Sequence, residues 1–293
     1  METNSQSMND IFHRQNDESF LRLLRSSRAV YKIAKTLSVF LFIFSVVVPL
    51  CINISFLFFD NHVVKSILCF IALSMVLFGF IFKELINRYK AIGSLIQQNY
   101  DLSLFRIGKI STSEKSMIEK YVIKYGSSSF TNEKNWYADY SKCKEELAIL
   151  YCQKENVNWT SRATDRYLLM MIGLLAITLI PIIIGCILFN ADIGSIFQFF
   201  YNAIPIIAYM FYAIYQSINE KLEFKVIKDY INRIIELYEN NGKINDDLVV
   251  LQNMIFNYRK TKRVVPDWLY RVFYKKDSLY EAKASELSSE ERN

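Results

Sequence analysis

The sequence predicts an all-α integral membrane protein whose four transmembrane helices form two hairpins, with a helical cytoplasmic middle loop and a helical cytoplasmic C-terminal tail. Two observations predict this class. The chain of 293 residues is 52% hydrophobic and only 22% charged, which is more apolar than an ordinary soluble domain. Four long segments also contain no Asp, Glu, Lys or Arg: 36–59, 66–82, 167–191 and 193–219. No strand pattern of useful length occurs beside them.

Each uncharged segment is long enough to cross a bilayer as a helix. At 1.5 Å per residue the four helices would be about 36, 26, 38 and 40 Å long, against a hydrocarbon core of about 30 Å. Val63 and Val64 lengthen the short second segment, because the stem of Lys65 can lie along lipid while its ammonium reaches the headgroups. The first segment lacks the pattern of a cleavable signal peptide, so it is expected to remain as an anchor. Prolines inside the segments are expected to kink these helices: Pro49, Pro181 and Pro205.

Lysine and arginine flank the four segments asymmetrically. They cluster before the first segment, after the second, before the third and after the fourth, whereas the two hairpin loops are almost bare of them. The positive-inside rule therefore places the N-terminus, the middle loop and the C-terminus in the cytoplasm. The expected divisions are a basic amphipathic N-terminal segment, a first hairpin, a cytoplasmic helical region, a second hairpin and a cytoplasmic helical tail: 1–35, 36–82, 83–166, 167–219 and 220–293.

The cytoplasmic regions carry the spacing, caps and breaks of amphipathic helices. Ser111 and Glu114 form a capping-box pattern before a helix that Gly126 ends. Further helical stretches are predicted to continue the second span to about 98, to lie near 142–157, to continue the fourth span to 240–242, and to run from 246 to a break at Pro266.

The sequence lacks the motifs of the common enzyme classes. Two histidines, His13 and His62, are too few for a His-rich metal site, and the GxxxxGK[ST], GxGxxG, HExxH and GxSxG motifs are absent. The five cysteines lack CxxC spacing and are expected to stay reduced. The spans hold no charge of the kind that ion-coupled transporters place near the midplane. We therefore expect a protein that is not an enzyme and that uses no cofactor or metal.

The middle loop combines positive charge with aromatic and amide side chains. Residues 83–166 include 14 Lys and Arg and 10 Asp and Glu, a balance of about +4. Guanidinium groups bind phosphates and aromatic rings stack on bases, so the mixture suits a small phosphorylated nucleotide. The candidate ligand-binding residues are Arg162, Gln153, Asn156, Trp159, Trp136, Tyr137 and Arg106. Alternatively, the charge faces anionic headgroups, Trp159 anchors the third span, and Gln153 and Asn156 cap its helix.

Short motifs occur in a fixed order along nearly the whole chain: Ile11-x-x-x-Gln15-Asn16, Leu24-Arg25-x-x-Arg28-x-x-Tyr31, Gln97-Gln98-x-x-Asp101-x-x-x-Phe105, Trp136-Tyr137, Cys152-Gln153-x-x-Asn156-x-x-Trp159 and Val265-Pro266-Asp267-Trp268. This ordered set, together with the layout of the spans, resembles the S-4TM family, the SMODS-associated four-transmembrane pore-forming effectors of bacteria.

The resemblance implies a role in the anti-phage defence called CBASS, in which a nucleotidyltransferase senses infection and makes a cyclic oligonucleotide. Binding of that signal to the cytoplasmic part would lead the protein to assemble as a homo-oligomer or open in the inner (plasma) membrane, causing abortive infection. The implied partners are the cyclic oligonucleotide, the lipid bilayer and, functionally, the synthase, but no nucleic acid polymer. The residues alone leave two alternatives open: an ion channel or transporter unrelated to defence, and a membrane scaffold.

Overall fold

The computed structural model describes residues 10–55, 62–128, 130, 133–188 and 193–290. Helices dominate these residues and no strand occurs among them, which confirms the predicted all-α class. The helices are α1 (Ile11–Arg14), α2 (Glu18–Phe42), α3 (Val48–Ser55), α4 (His62–Phe105), α5 (Thr112–Tyr125), α6 (Glu145–Leu188), α7 (Ile193–Asn241), α8 (Asn245–Thr261) and α9 (Asp267–Glu290).

Three of these helices are far longer than a bilayer is thick. Helices α4 and α6 have 44 residues each and α7 has 49, which corresponds to about 66 and 74 Å at 1.5 Å per residue. Each has an apolar half and a polar half. We call the described residues of 36–82 and 167–219 the apolar layer, and those of 10–35, 83–166 and 220–290 the polar bundle.

Helix α6 is continuous where the sequence predicted a helix ending near Val157. The polar residues that follow do not form a loop, because several of them face neighbouring helices: Ser161 and Thr164 are buried, and Lys228 of α7 donates to the Ser161 hydroxyl at 2.9 Å. Polarity in this stretch therefore marks a packed helix face rather than a helix end.

Two helical stretches have the length and hydropathy needed to cross a membrane, Glu18–Ile52 and Glu145–Ile180. They contain most of the first predicted span and more than half of the third. The predicted hairpin loop at 190–192, and residues 60 and 61 of the other loop, lie outside the described residues. The second and fourth spans therefore stay a prediction, although α4 and α7 carry both of the segments concerned.

The first apolar helix is interrupted near a proline. A π-helical turn, Ile43–Val47, joins α2 to α3 just before Pro49. Proline lacks the amide hydrogen that would complete the α-helical ladder at this point, and π-turns accommodate such interruptions. Farther toward the N-terminus, α2 packs closely on α4, where Gly93 lies against the ring of Tyr31 and accepts a hydrogen bond from Ser27 at 3.0 Å.

The core of the polar bundle is formed by the polar halves of the long helices together with α8. Its buried side chains include Phe105, Leu150, Ile231 and Leu251, one from each of α4, α6, α7 and α8. Helix α5 packs on one side of this core and begins with the predicted capping box, in which Ser111 and Glu114 satisfy each other's backbone amides. Gly242, with a φ of 66°, follows the end of α7 as the sequence predicted.

The linker between α8 and α9, residues 262–266, lies where the polar bundle meets the apolar layer. Val264 packs against Ala34 of α2 and Ile86 of α4. Its neighbour Val265 packs against Tyr167 of α6 and Ala213 of α7. Two adjacent linker residues therefore contact the second predicted hairpin and the parts of α2 and α4 immediately beside the first.

Candidate functional site

The segment 133–137 is fastened to the N-terminal part of the chain by paired hydrogen bonds. The backbone amide of Tyr137 donates to Gln15 Oε1 at 2.8 Å, and Gln15 Nε2 donates back to the Tyr137 carbonyl at 3.2 Å. Asn16 and Asn135 exchange a similar pair of bonds, both of 2.9 Å. Two motifs far apart in sequence, Gln15-Asn16 and Trp136-Tyr137, are thus brought into contact.

Asp101 is the centre of a buried polar network beneath this segment. Its carboxylate is fully buried and accepts from the Tyr137 hydroxyl at 2.7 Å, from Gln252 Nε2 at 3.1 Å and from Arg259 Nη1 at 2.5 Å. Asn156 Nδ2 reaches the same Tyr137 hydroxyl at 3.2 Å. The network therefore joins α4, α6 and α8 to the 133–137 segment.

Gln153 extends this network toward α8. Its side chain is buried, and Nε2 donates to the Leu248 carbonyl at 3.0 Å and to Gln252 Oε1 at 3.1 Å. The Gln153 Oε1 atom is also buried and makes no hydrogen bond within the described part of the chain. Three of the predicted site residues, Tyr137, Gln153 and Asn156, are thus gathered around one buried network.

Trp159 and Arg162 lie together on the next turns of α6, under helix α9. The Trp159 ring is 5.9 Å from the ring of Tyr274. The Arg162 guanidinium lies between the Trp159 and Tyr280 rings, at 5.7 and 5.1 Å from their centroids, and donates to Glu281 at 2.5 Å.

One helical turn nearer the apolar layer, Arg166 makes two hydrogen bonds to the buried Asp277, at 2.6 and 2.7 Å. Arg162 Nε lies 3.3 Å from the same carboxylate. Charged and aromatic side chains therefore hold α9 along α6.

A cleft of about 460 Å³ separates the 133–137 segment from α9. It is lined by Glu133, Lys134, Asn135 and Tyr274. This volume is within the range of about 300–1,000 Å³ typical of small-molecule sites, but the cleft is shallow and much more open to solvent than such sites are. Because Tyr274 also borders Trp159, the cleft lies beside an aromatic pair, with one exposed cation, Lys134, on its wall.

Trp136 and Arg106 lie apart from that pair. Trp136 packs against the main core, and the Arg28 guanidinium lies over its ring at 4.6 Å and over the Phe130 ring at 3.8 Å. Burial lowers the pKa of Arg28 to about 10, so it remains charged at neutral pH. Arg106 is exposed just after α4, 3.8 Å from Asp10, at the end of the polar bundle where α6 begins.

Glu155 is an acidic group of this region whose pKa is raised above its ordinary value. It is buried on α6 and accepts a hydrogen bond from the Ala138 amide at 3.0 Å. Burial raises the pKa of Glu155 to about 7. Its charge therefore changes near neutral pH, directly behind the 133–137 segment.

The residues that complete the site were not assigned from the sequence. Asp101 stands in one of the sequence motifs, but its partner Arg259 is 158 residues away. Tyr274, Asp277 and Glu281 belong to α9, of which the quoted motif covers only the first two residues. A usable signal was present for Asp101, because it is an acid directly between Tyr100 and Leu102 in the sequence.

Comparison with known proteins gives two findings. Residues 9–286 match the model of the SMODS-associating 4TM effector domain family. A protein of Bacillus cereus (strain VD146), named "Probable CBASS effector molecule", is 22% identical over 280 residues, covering 91% of this chain and 94% of that protein. No solved structure matches.

Proposed function

The chain belongs to the SMODS-associating 4TM effector family, and we propose that it is a CBASS effector that disrupts the bacterial inner membrane when a cyclic oligonucleotide binds its polar bundle. It is a multi-pass protein with both termini cytoplasmic, and it acts as a homo-oligomer without enzymatic chemistry. Family membership supports the effector role. The lengths of α4, α6 and α7 support the membrane arrangement, since each combines an apolar stretch with a polar half of similar length.

The spans in this proposal are 36–59, 66–82, 167–191 and 193–219. The exposed apolar side chains of the apolar layer, such as Phe70 and Ile177, then face lipid. The cationic flanks lie together at one end of the layer, where Lys83 of α4 is 4.1 Å from the Tyr212 ring of α7. That end faces the cytoplasm by the positive-inside rule.

The ligand occupies the cleft between the 133–137 segment and α9. The observation that carries this assignment is that Tyr274, which lines the cleft together with Lys134, also packs against the ring of Trp159. The Arg162 guanidinium lies over the other ring of that pair, outside the lining of the cleft. Diester charge needs cations and bases need aromatic faces, and this cluster supplies both. Trp136 directly follows Asn135, a residue of the cleft wall, in the sequence. Beneath the cleft, Tyr137, Gln153 and Asn156 hold the 133–137 segment and α6 in position. Arg106 lies away from the cleft and contributes to the basic surface.

The signal reaches the spans through α9 and its linker. Arg162 is bonded to Glu281 of α9, so a ligand phosphate that takes over this guanidinium weakens the attachment of α9. In the linker that precedes α9, Val264 packs on α2 and α4 beside the first hairpin, and Val265 packs on α6 and α7 of the second hairpin. Displacement of α9 therefore alters the packing of the hairpins on each other.

The energy required is within reach of a few contacts. Moving a closed-to-open ratio from 1:99 to 99:1 needs about 5.5 kcal/mol of differential binding. Hydrogen bonds to charged groups contribute roughly 1.5–3 kcal/mol each. About two to four new bonds between ligand phosphates and nearby cations would supply this energy, and the contacts that Arg162 gives up with α9 add to the amount required.

Ligand binding to the full-length protein in nanodiscs tests this site. Cyclic di- and trinucleotides would be titrated while tryptophan fluorescence is recorded, since Trp159 packs against Tyr274 of the cleft wall. Arg162→Ala and Lys134→Ala should each weaken binding by about 10- to 150-fold, the equivalent of one charge-assisted bond. Lys142→Ala, which removes an exposed cation outside the cleft, should bind as the unchanged protein does.

A second control separates binding from structure. Arg166→Ala removes a comparable attachment of α9 but lies one turn farther along α6. Unaltered nucleotide affinity in Arg162→Ala and Lys134→Ala would rule out the cleft as the ligand-binding site. Equal weakening in Arg166→Ala and Arg162→Ala would show that arginine acts there only by holding α9.

A further inference from the structure

Arg28 of α2 is held by aromatic rings rather than by a carboxylate. Its guanidinium lies 3.8 Å from the centroid of the Phe130 ring and 4.6 Å from that of the Trp136 ring. Among the residues that the structure describes, no hydrogen bond or ion pair joins this guanidinium to another group. Aromatic rings attract the positive charge, but they offer no carboxylate oxygen to its five N–H donors. The donors of Arg28 are therefore left for solvent or for a ligand.

The two acids that act electrostatically on Arg28 are already paired with other cations. Glu133 and Asp267 both lie near enough to influence its pKa. Glu133 uses both carboxylate oxygens on Arg25, which donates to them from Nε and Nη2 at 2.9 and 2.8 Å. Asp267 forms an ion pair with Lys35. Buried arginines are normally paired, whereas Arg28 has no counter-charge of its own within the described ranges.

Arg28 lies at the cleft between the 133–137 segment and α9. Glu133 lines the cleft on the segment side and Tyr274 lines it on the α9 side, and both are near enough to Arg28 to influence its pKa. A group close to both sides lies where the two sides approach each other. The side chain is also partly exposed, so an anion in the cleft can reach its N–H donors.

The depth of Arg28 favours a soluble phosphate over a lipid headgroup. Arg28 precedes the first proposed span, 36–59, by eight residues, which is about 12 Å along a helix at 1.5 Å per residue. The headgroup region on one side of a bilayer is only about 5–8 Å deep. The guanidinium therefore lies beyond the lipid, at the level of the polar bundle.

We infer that Arg28 donates hydrogen bonds to a phosphate diester of the nucleotide in the cleft, while Trp136 and Phe130 hold its guanidinium in place. A planar guanidinium fits two oxygens of one phosphate. This inference rests on the proposed function and adds a phosphate subsite to the same site. Arg162 must leave Glu281 before it can bind a phosphate, whereas Arg28 has no such bond to give up. Arg28 therefore supplies affinity, and Arg162 couples that binding to α9.

Nucleotide titrations of the full-length protein in nanodiscs test this subsite. The probe is the member of a panel of cyclic di- and trinucleotides that binds the unchanged protein most tightly. Arg28→Met removes the charge but keeps an unbranched side chain that packs well against aromatic rings. It should weaken binding about 10- to 150-fold and leave the Tm without nucleotide unchanged. Arg28→Lys keeps the charge without the planar fork and should recover part of the lost affinity.

Arg22→Met is the matched control. Arg22 is an exposed arginine of the same helix, six residues before Arg28 and turned about 120° from it around the helix axis, so its replacement should leave the affinity unchanged. A second measurement needs no substitution. Phenylglyoxal, which modifies arginine, should label Arg28 several-fold more slowly when the nucleotide is bound, while Arg22 is labelled equally in both states.

An affinity of Arg28→Met equal to that of the unchanged protein would overturn the inference, as would equal labelling of Arg28 with and without nucleotide. A loss of binding accompanied by a fall in Tm, with no recovery in Arg28→Lys, would show that Arg28 acts only by packing and would equally overturn it. If no member of the panel binds the unchanged protein, the proposed function itself fails. Binding that survives Arg28→Met removes the subsite alone.

Discussion

Replacing Arg259 by leucine should destabilise the polar bundle strongly. The side chain is 2% exposed, and its Nη1 donates to the fully buried Asp101 at 2.5 Å. In Arg259→Leu the Asp101 carboxylate keeps only two neutral donors, Tyr137 and Gln252. An uncompensated buried charge of this kind typically costs about 3–5 kcal/mol. For a chain of this size that corresponds to a fall in Tm of about 6–20 °C.

The double variant distinguishes charge from packing. In Asp101→Leu with Arg259→Leu no charge is buried, and replacing both partners of a buried pair by apolar residues is often close to neutral. We therefore expect the double variant to melt above Arg259→Leu. Tyr137 and Gln252 lose an acceptor, so some destabilisation should remain.

Cys152 provides the assay. Its thiol is 1% exposed on α6, next to the network, and a thiol-reactive fluorogenic dye reports its exposure as the bundle unfolds. The measurement uses full-length protein in detergent in which Cys152 is the one cysteine retained. A Tm for Arg259→Leu within about 2 °C of the unchanged protein, or a double variant less stable than Arg259→Leu, would refute the proposed energetics.

Three further outcomes follow from local contacts. Burial raises the pKa of Glu155 from 4.5 to about 7, so the stabilising contribution of its protonated form is complete below pH 4.5 and is lost as the pH rises through 7. The Tm should therefore fall over that interval. Glu155→Gln should flatten this dependence of Tm on pH. Ser111→Ala removes the capping box of α5 and should cost about 0.5–2 kcal/mol in a denaturant titration, whereas Ser113→Ala, at the second residue of the helix, should cost less. Arg166→Ala removes both bonds to Asp277, and trypsin should then cleave α9 several-fold faster; an unchanged rate would mean that other contacts hold this helix.

Patterns of apolar residues predicted most of the helices, because helical spacing and caps are local. The capping box at Ser111, the helix break at Pro266 and the end of α7 before Gly242 are all confirmed. The continuity of α6 was missed for a physical reason. Residues such as Ser161 and Thr164 are polar, yet they lie buried against α7, and a single sequence does not reveal which neighbour a polar side chain will meet.

The sequence predicted which types of residue form the candidate site better than it predicted how those residues are arranged. The basic and aromatic character of the middle loop led to Trp159 and Arg162, which do lie together. It could not reveal Tyr274, which reaches them from more than a hundred residues away on α9. The pairing of Asp101 with Arg259 is equally non-local. Such contacts depend on how the helices pack and leave no periodic trace in the sequence.

Dye release from liposomes that contain the purified full-length protein tests the central claim most directly. A panel of cyclic di- and trinucleotides would be added to vesicles loaded with a self-quenching dye, with the linear oligonucleotide of each sequence as the control. The proposed function predicts that the vesicles stay sealed without nucleotide, that one or more cyclic members cause rapid release, and that the linear counterparts do not. Steady release without nucleotide, or intact vesicles in the presence of a cyclic nucleotide shown to bind, would contradict it.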